Sequence, residues 1–109
     1  IDTATPLAMN QDGIMYITKL VGRPDGRATV EEQHRPATGG KTSLRSRLYV
    51  CNSWSAGRCN LPTTRPIVTL PTNLSNGETV YAVEALYDYT LLTRYVISND
   101  PKLYSITIL

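Results

Sequence analysis

The stretch that decides the fold prediction is residues 79–89, with the sequence TVYAVEALYDY. Tyrosine and valine recur in it with a period of two, at Tyr81, Val83, Tyr87 and Tyr89, and this spacing of β-branched and aromatic residues is typical of a strand. A helix is the competing interpretation, because alanine, leucine and glutamate are helix formers. The alternation favours the strand and leaves open which of its two faces is buried. One face carries Tyr81, Val83, Ala85, Tyr87 and Tyr89, and the other carries Val80, Ala82, Glu84, Leu86 and Asp88.

The clearest hairpin signal lies nearer the amino terminus. Ile14–Val21 (IMYITKLV) is rich in residues that suit a pleated, half-buried strand, and Ala28–His34 (ATVEEQH) follows as its return strand. Between them, Pro24, Asp25 and Gly26 favour a turn, since proline presets φ and glycine adopts a positive φ without steric cost. We therefore predict two antiparallel strands joined by a tight connection.

The remaining segments complete a mainly antiparallel sheet. Leu103–Leu109 (LYSITIL) predicts a closing strand. Ile67–Leu70 predicts at most a short edge strand, because the prolines around it do not donate to a ladder. A short helix is expected near Thr42–Val50. The fold class is therefore α+β, with about four antiparallel strands and little helix, and such a sheet needs a covering layer on at least one face.

Length and composition indicate one small domain. The chain has 109 residues, of which 41% are hydrophobic and 18% charged, and its formal net charge is +2. We expect residues 1–109 to form a single head domain. The charge is too small to indicate nucleic acid as a partner, and no apolar run approaches the ~18 residues that a membrane span requires. The chain begins at Ile1 rather than methionine, which leaves a signal or membrane anchor upstream an open alternative.

Cys51 and Cys59 are the only cysteines, and seven residues separate them. Two sulfurs do not complete a tetrahedral zinc site, and the spacing is not that of a thioredoxin-type pair. Two buried free thiols are one interpretation. A local disulfide is preferred, because loop formers such as Asn52, Ser53 and Gly57 make the loop easy to close. Such a bond would stabilise the fold by about 2.5 kcal/mol and predicts an oxidising compartment: the periplasm, the cell surface or the outside.

The sequence offers no catalytic constellation and no cofactor or metal motif. His34 is the only histidine and has no nucleophile motif around it. Glu31 and Glu32 are adjacent on a strand, so they point to opposite faces and do not pair. Glu84 falls within an apolar strand, so we expect an arginine or a backbone amide beside its carboxylate.

Trp54 and its basic surroundings are the candidate recognition features. The disulfide loop would present Trp54 near Arg58, and a tryptophan in a constrained loop can anchor an interface or stack on a sugar. The alternative is that Trp54 folds back to cover the sheet. Residues 23–65 contain eight basic and three acidic residues, a net charge of +5. That balance is typical of a solvated loop surface, or of a patch that docks an acidic partner or lipid headgroups.

Two stretches carry a family pattern. Residues 13–35 (GIMYITKLVGRPDGRATVEEQHR) contain a hydrophobic strand, a glycine-containing turn and a second strand that ends in Glu32 and Gln33. Residues 76–92 (NGETVYAVEALYDYTLL) contain a glycine and a glutamate, alternating valines, a second glutamate and two tyrosines one residue apart. Together they resemble the TadE-like family, the minor pseudopilins of the Tad (Flp) tight-adherence pilus. That family usually has tryptophan at the position of Glu32 and proline at the position of Leu91. The second match is carried by Asn76, Gly77, Glu78, Val80, Val83, Glu84, Tyr87 and Tyr89.

The resemblance implies a pilin-like carboxy-terminal head that lacks its amino-terminal membrane helix. It implies a non-enzymatic function in pilus assembly or adherence, through contacts with other pilus or secretion-platform proteins. A membrane would be contacted only through the missing helix, and the location would be extracytoplasmic: the periplasm, with the full-length protein anchored in the inner membrane, or the pilus and cell surface. The candidate interface residues are Trp54, Arg58, Tyr87 and Tyr89. The alternative function is a secreted or cell-surface recognition domain that binds a glycan or a peptide.

Overall fold

The computed structural model describes residues 13–88 and 102–109, which form one antiparallel sheet. Its strands in chain order are β1 (Gly13–Gly22), β2 (Ala28–His34), β3 (Trp54–Ser55), β4 (Arg58–Cys59), β5 (Ile67–Val68), β6 (Thr79–Asp88) and β7 (Lys102–Ile108). Their spatial order is β3-β4-β2-β1-β6-β7, and β5 also pairs with β2. The ten-residue strands β1 and β6 lie side by side, so the two longest strands form the centre of the sheet.

The antiparallel sheet is confirmed, and the predicted number of strands is wrong. The β1–β2 hairpin, the β6 strand and the closing strand β7 lie where the sequence places them. The sheet has seven strands rather than about four. The unpredicted strands β3 and β4 have two residues each, and so does β5, which lies within the short edge strand predicted at Ile67–Leu70. A two-residue strand is too short to show a period-two pattern, so hydrophobic alternation does not reveal it.

The prediction of a helix near Thr42–Val50 is wrong. Residues 13–88 and 102–109 contain no helix, so this part of the chain is all-β rather than α+β. Ser46 supplies a physical reason. Its hydroxyl accepts hydrogen bonds from the backbone N–H groups of Leu48 and Tyr49, at 3.2 and 3.3 Å. A serine bonded to nearby backbone amides offers them an alternative to helical hydrogen bonds, and here it holds a turn.

One face of the sheet is buried, and on β6 it is the face that carries Val80 and Glu84. The segment between β2 and β6 covers this face and contributes Leu44, Leu70 and Leu74 to the interior. Two apolar clusters result. The larger consists of Leu20, Ala28, Val30, Leu70, Leu74, Val80 and Ala82. The smaller consists of Ile14, Tyr16, Leu44 and Leu86, with Trp54 and Tyr104 packed against it.

A buried polar group, centred on Glu84, holds the covering segment onto the sheet. Glu84 is fully buried, and its carboxylate accepts a hydrogen bond from the Ser46 hydroxyl. It also accepts one from the backbone N–H of Arg47 at 2.9 Å and one from the Tyr104 hydroxyl at 2.7 Å. The Arg47 guanidinium stacks over the Tyr104 ring at 4.2 Å. The expected backbone amide is therefore present beside Glu84, and the carboxylate has three donors, which is what burial of a charge requires.

Another buried polar residue on this face is Gln33 of β2, which is also fully buried. Its side-chain amide donates to the backbone carbonyl of Tyr49 at 3.0 Å and to the Thr18 hydroxyl at 3.3 Å. Because Tyr49 belongs to the covering segment and Thr18 to β1, this amide joins the two layers. Residues 46–49 are thus tied to the sheet from both Glu84 and Gln33.

The environment of Tyr104 predicts alkaline sensitivity. Burial, together with its hydrogen bond to Glu84, raises the pKa of the Tyr104 phenol above its ordinary value of 10.0. Because the folded pKa is raised, the stability that this group contributes is complete below about pH 10 and is lost as the pH rises further. We expect urea unfolding to show a steeper loss of stability above about pH 10 in the wild type than in Tyr104→Phe.

Tyr81→Phe is the control for that experiment, because the Tyr81 side chain is 45% exposed. It should keep the wild-type dependence on pH. Parallel curves for the wild type and Tyr104→Phe would contradict the assigned role of Tyr104.

The opposite face of the sheet carries exposed apolar and aromatic side chains. Met15 and Ile17 of β1 are 42% and 40% exposed. In the β1–β6 register Met15 lies opposite Ala85 and Ile17 opposite Val83, so their side chains form a continuous surface across two strands. We call this surface the outer patch. It consists of Met15, Ile17, Tyr81, Val83, Ala85 and Tyr87.

Candidate functional site

A disulfide-closed hairpin lies beside the end of β2. Cys51 and Cys59 form a disulfide, as predicted, and it encloses the short strands β3 and β4. The bond is consistent with an extracytoplasmic location. The hairpin turn places Ala56 and Gly57 at φ values of 48° and 85°, the positive values that two-residue hairpin loops require.

The hairpin is docked on β2 by its backbone. The N–H of Arg35 donates to the carbonyl of Gly57 at 2.8 Å, and His34 pairs with Arg58 as sheet partners. The approach at Gly57 is close, because a Cβ atom there would lie 2.5 Å from the Arg35 carbonyl oxygen. A glycine is therefore needed at this position both for its φ and for the space that it leaves.

Trp54 folds back against the covered side of the sheet instead of projecting into solvent. It is half-buried, and its ring lies 5.9 Å from that of Tyr16, measured between centroids, at an interplanar angle of 43°. The Arg35 guanidinium lies over the Trp54 ring at 4.2 Å from its centroid. Trp54 thus serves as a packing residue and also as the support on which a charged side chain rests.

Trp54 forms one wall of a cleft of about 230 Å³, which lies between the hairpin and residues 42–50 of the covering segment. Aromatic rings, two arginines and several small polar groups line it. The lining residues are Tyr16, Arg35, Thr42, Arg45, Ser46, Tyr49, Val50, Cys51, Asn52 and Trp54. This set contains two cationic side chains and no carboxylate, so the cleft has the electrostatic character of an anion site.

The floor of the cleft is fixed by Tyr16. Its hydroxyl donates to the backbone carbonyl of Leu44 at 2.6 Å. Burial raises the pKa of the Tyr16 phenol, while a hydrogen bond with Arg35 and the positive charges of Arg35 and Arg45 act in the opposite direction. The positive charges of both guanidinium groups therefore act to lower the pKa of the same phenol at the base of the cleft.

The candidate interface residues do not form one site. Trp54 lines the cleft, whereas Arg58 is one position along the hairpin ladder from the Trp54–Cys59 pair and so points to the other face. The Arg58 side chain is 61% exposed, and its guanidinium lies 4.0 Å from the Glu32 carboxylate. Tyr87 belongs to the outer patch. Tyr89 lies outside the described residues.

A shallow apolar groove of about 290 Å³ adjoins the outer patch and is lined by Met15, Ile17, His34, Arg35 and Pro36. His34 stands at its rim, with Nε2 3.0 Å from the Glu32 Oε1 atom. This hydrogen bond lowers the pKa of the Glu32 carboxyl, with smaller contributions from Arg58 and Lys19. His34 is thus hydrogen-bonded to Glu32 at the sheet surface.

Two site residues went unassigned in the sequence, namely Arg35 and Arg45. The net charge of +5 over residues 23–65 includes both of them, but this signal does not separate these two arginines from the other basic residues. They line the same cleft only because the hairpin and the covering segment fold against the same end of the sheet.

Within residues 13–88 and 102–109, no three His, Cys, Asp or Glu side chains come together as a metal site. In the same part of the chain, no helix has the length and hydrophobicity needed to cross a membrane.

No protein-family model, no curated protein and no solved structure matches this chain.

Proposed function

We propose that this chain is the non-enzymatic head of a minor pilin or pseudopilin of the Tad (Flp) type, which acts in pilus assembly or adherence through protein–protein contacts. The proposal rests on the resemblance of residues 13–35 and 76–92 to the TadE-like family. The structural observation that supports it best is the outer patch, because this surface combines a regular sheet with exposed apolar and aromatic side chains.

The chemistry of the outer patch suits a protein partner. Methionine and tyrosine are enriched at protein interfaces, and tyrosine offers a large contact area at a low cost in conformational entropy. Tyr81 and Tyr87 flank the aliphatic side chains of Ile17 and Val83 across the two central strands. The adjoining groove extends this surface toward His34. We assign the patch to contact with another protein of the pilus or its secretion platform.

The proposed location rests on the disulfide. A small β-sheet head closed by a disulfide is suited to the periplasm or to the pilus and cell surface, where thiols are oxidised. In the proposed full-length protein, an amino-terminal helix anchors this head in the inner membrane.

The test is a pair of charge substitutions on the sheet surface. Ile17→Asp places a carboxylate in the outer patch, and we expect it to abolish or strongly reduce piliation and adherence in the host that encodes the chain. The purified variant should retain its fold, because the Ile17 side chain is already 40% exposed. Piliation is counted by electron microscopy, and folding is checked by circular dichroism and urea unfolding.

Ile67→Asp is the matched control. Ile67 is 42% exposed and pairs with Thr29 at the end of the sheet away from Met15. It should leave piliation intact. Normal pili in the Ile17→Asp strain, or equal loss in both strains, would refute the assignment of the patch, and normal pili after deletion of the gene would refute the pilin function.

A second candidate function is a cell-surface recognition domain, and the cleft beside Trp54 is the observation that favours it. In the structure, Trp54 packs on Tyr16 and supports Arg35, so replacing it would disturb folding as well as binding. The cleft is therefore better tested through its exposed arginine than through the tryptophan.

A further inference from the structure

We infer that the cleft between the disulfide hairpin and the covering segment binds a carboxylated sugar, such as a uronic acid. The cleft lies on the covered side of the sheet, and the outer patch lies on the other. The inference therefore goes beyond a role in pilus contacts and can fail or succeed independently of it.

The charges of the cleft point to an anionic ligand. Neither Arg35 nor Arg45 has an acidic partner within ion-pair distance among the residues that the structure describes, whereas Arg27 is bonded to Asp25 at 2.8 Å. No aspartate or glutamate lines the cleft. A guanidinium presents a planar fork of donors that matches a carboxylate, and such charge-assisted hydrogen bonds are stronger than neutral ones.

One of the two guanidinium groups is held in place before a ligand arrives. Arg35 rests on the Trp54 ring, and its positive charge acts to lower the pKa of the Tyr16 phenol. The phenol is in turn anchored on the Leu44 carbonyl. A donor that is already ordered loses less conformational entropy on binding, so more of its interaction energy contributes to affinity. Arg45, which is exposed, completes the charged wall.

The size and lining of the cleft favour a sugar over a peptide. Its volume of about 230 Å³ is below the ~300–1,000 Å³ of sites for drug-sized ligands, so it suits a single small ring. Thr42 and Asn52 are exposed at the cleft, and their side chains make no hydrogen bond within the described residues, so they are free to bond with hydroxyl groups. Tyr49 supplies aromatic surface against which a sugar ring packs.

The protein carries its own reporter, because Trp54 is the only tryptophan in the chain. We expect sodium glucuronate to produce a saturable change in Trp54 fluorescence, and glucose, its uncharged counterpart, to produce none at the same concentrations. Galacturonate, a second uronic acid, and N-acetylneuraminate, a sialic acid, are tested in parallel. Comparing their responses shows which of these two classes of carboxylated sugar the cleft binds. Equal responses to glucuronate and glucose, or no response to any of the three acids, would overturn the inference.

Arg45→Ala and Arg65→Ala separate a specific site from general electrostatic attraction. Both variants lose one positive charge, but Arg65 is exposed outside the cleft and donates only to the Pro62 carbonyl within the described residues. We expect Arg45→Ala to weaken glucuronate binding by about tenfold or more and Arg65→Ala to leave it unchanged. Equal weakening in both variants, or tighter binding of a short poly-glutamate peptide than of glucuronate, would contradict a sugar site.

Discussion

Glu84→Ala is expected to lower the free energy of unfolding by about 3–5 kcal/mol, because it leaves several buried donors without their acceptor. The Ser46 hydroxyl, the Arg47 backbone N–H and the Tyr104 hydroxyl all donate to the Glu84 carboxylate. Each buried donor without a partner costs about 1–3 kcal/mol. Since small domains have total stabilities of about 5–15 kcal/mol, this loss should bring the protein close to unfolding at physiological temperature.

Urea or guanidinium unfolding measures this loss, and Glu31→Ala is the control. Glu31 is half-buried on the same sheet, and no hydrogen bond or ion pair of its side chain is present among the described residues. We expect a change of no more than about 0.5 kcal/mol there. If Glu84→Ala proves as stable as Glu31→Ala, the hydrogen-bond group does not hold the covering segment.

Gly57→Ala should have the second largest effect, a loss of about 2–4 kcal/mol. A residue with a Cβ atom is disfavoured at a φ of 85°, and this Cβ would lie 2.5 Å from the Arg35 carbonyl oxygen and 3.1 Å from the Ala37 backbone nitrogen. Both neighbours are backbone atoms, so relief of the clash requires the hairpin to move away from β2. We therefore expect a shift in Trp54 fluorescence together with the loss of stability.

Gly77→Ala separates the cost of a Cβ atom at positive φ from the cost of its clash with neighbouring backbone atoms. Gly77 has nearly the same φ, 83°, and a Cβ atom added there would have no neighbouring atom within 4 Å. The substitution should cost only about 1 kcal/mol, the conformational share of the effect, and leave the Trp54 fluorescence unchanged. Equal losses at both glycines would show that close docking of the hairpin contributes nothing.

The parts of the fold that follow from short-range sequence signals were predictable. Alternation along Thr79–Asp88 reveals β6, and the turn residues after β1 reveal the hairpin. The disulfide follows from the loop formers between its two cysteines. The requirement that a buried carboxylate find donors predicted a backbone amide beside Glu84, and Arg47 supplies it.

The remainder depends on contacts between residues far apart in the chain. Ser46 bonds to Glu84, which is 38 positions away, and no local pattern predicts that pairing. Residues 46–49, in which the Leu48 and Tyr49 amides donate to the Ser46 hydroxyl, form a bend instead of the expected helix. The cleft likewise requires the hairpin to dock at Gly57, which brings Trp54 under Arg35. The residue types at the site were visible in the sequence, and their juxtaposition was not.

The pairing of β1 with β6 also has a kinetic consequence. Gly13 pairs with Tyr87 and Val21 with Thr79, so the centre of the sheet joins the beginning of the described chain to a segment synthesised much later. The β1–β2 hairpin can form early, but an isolated hairpin is only marginally stable in water. Sheets dominated by such distant pairings typically fold in milliseconds to seconds. The central pairing of the sheet therefore forms only after β6 has been synthesised.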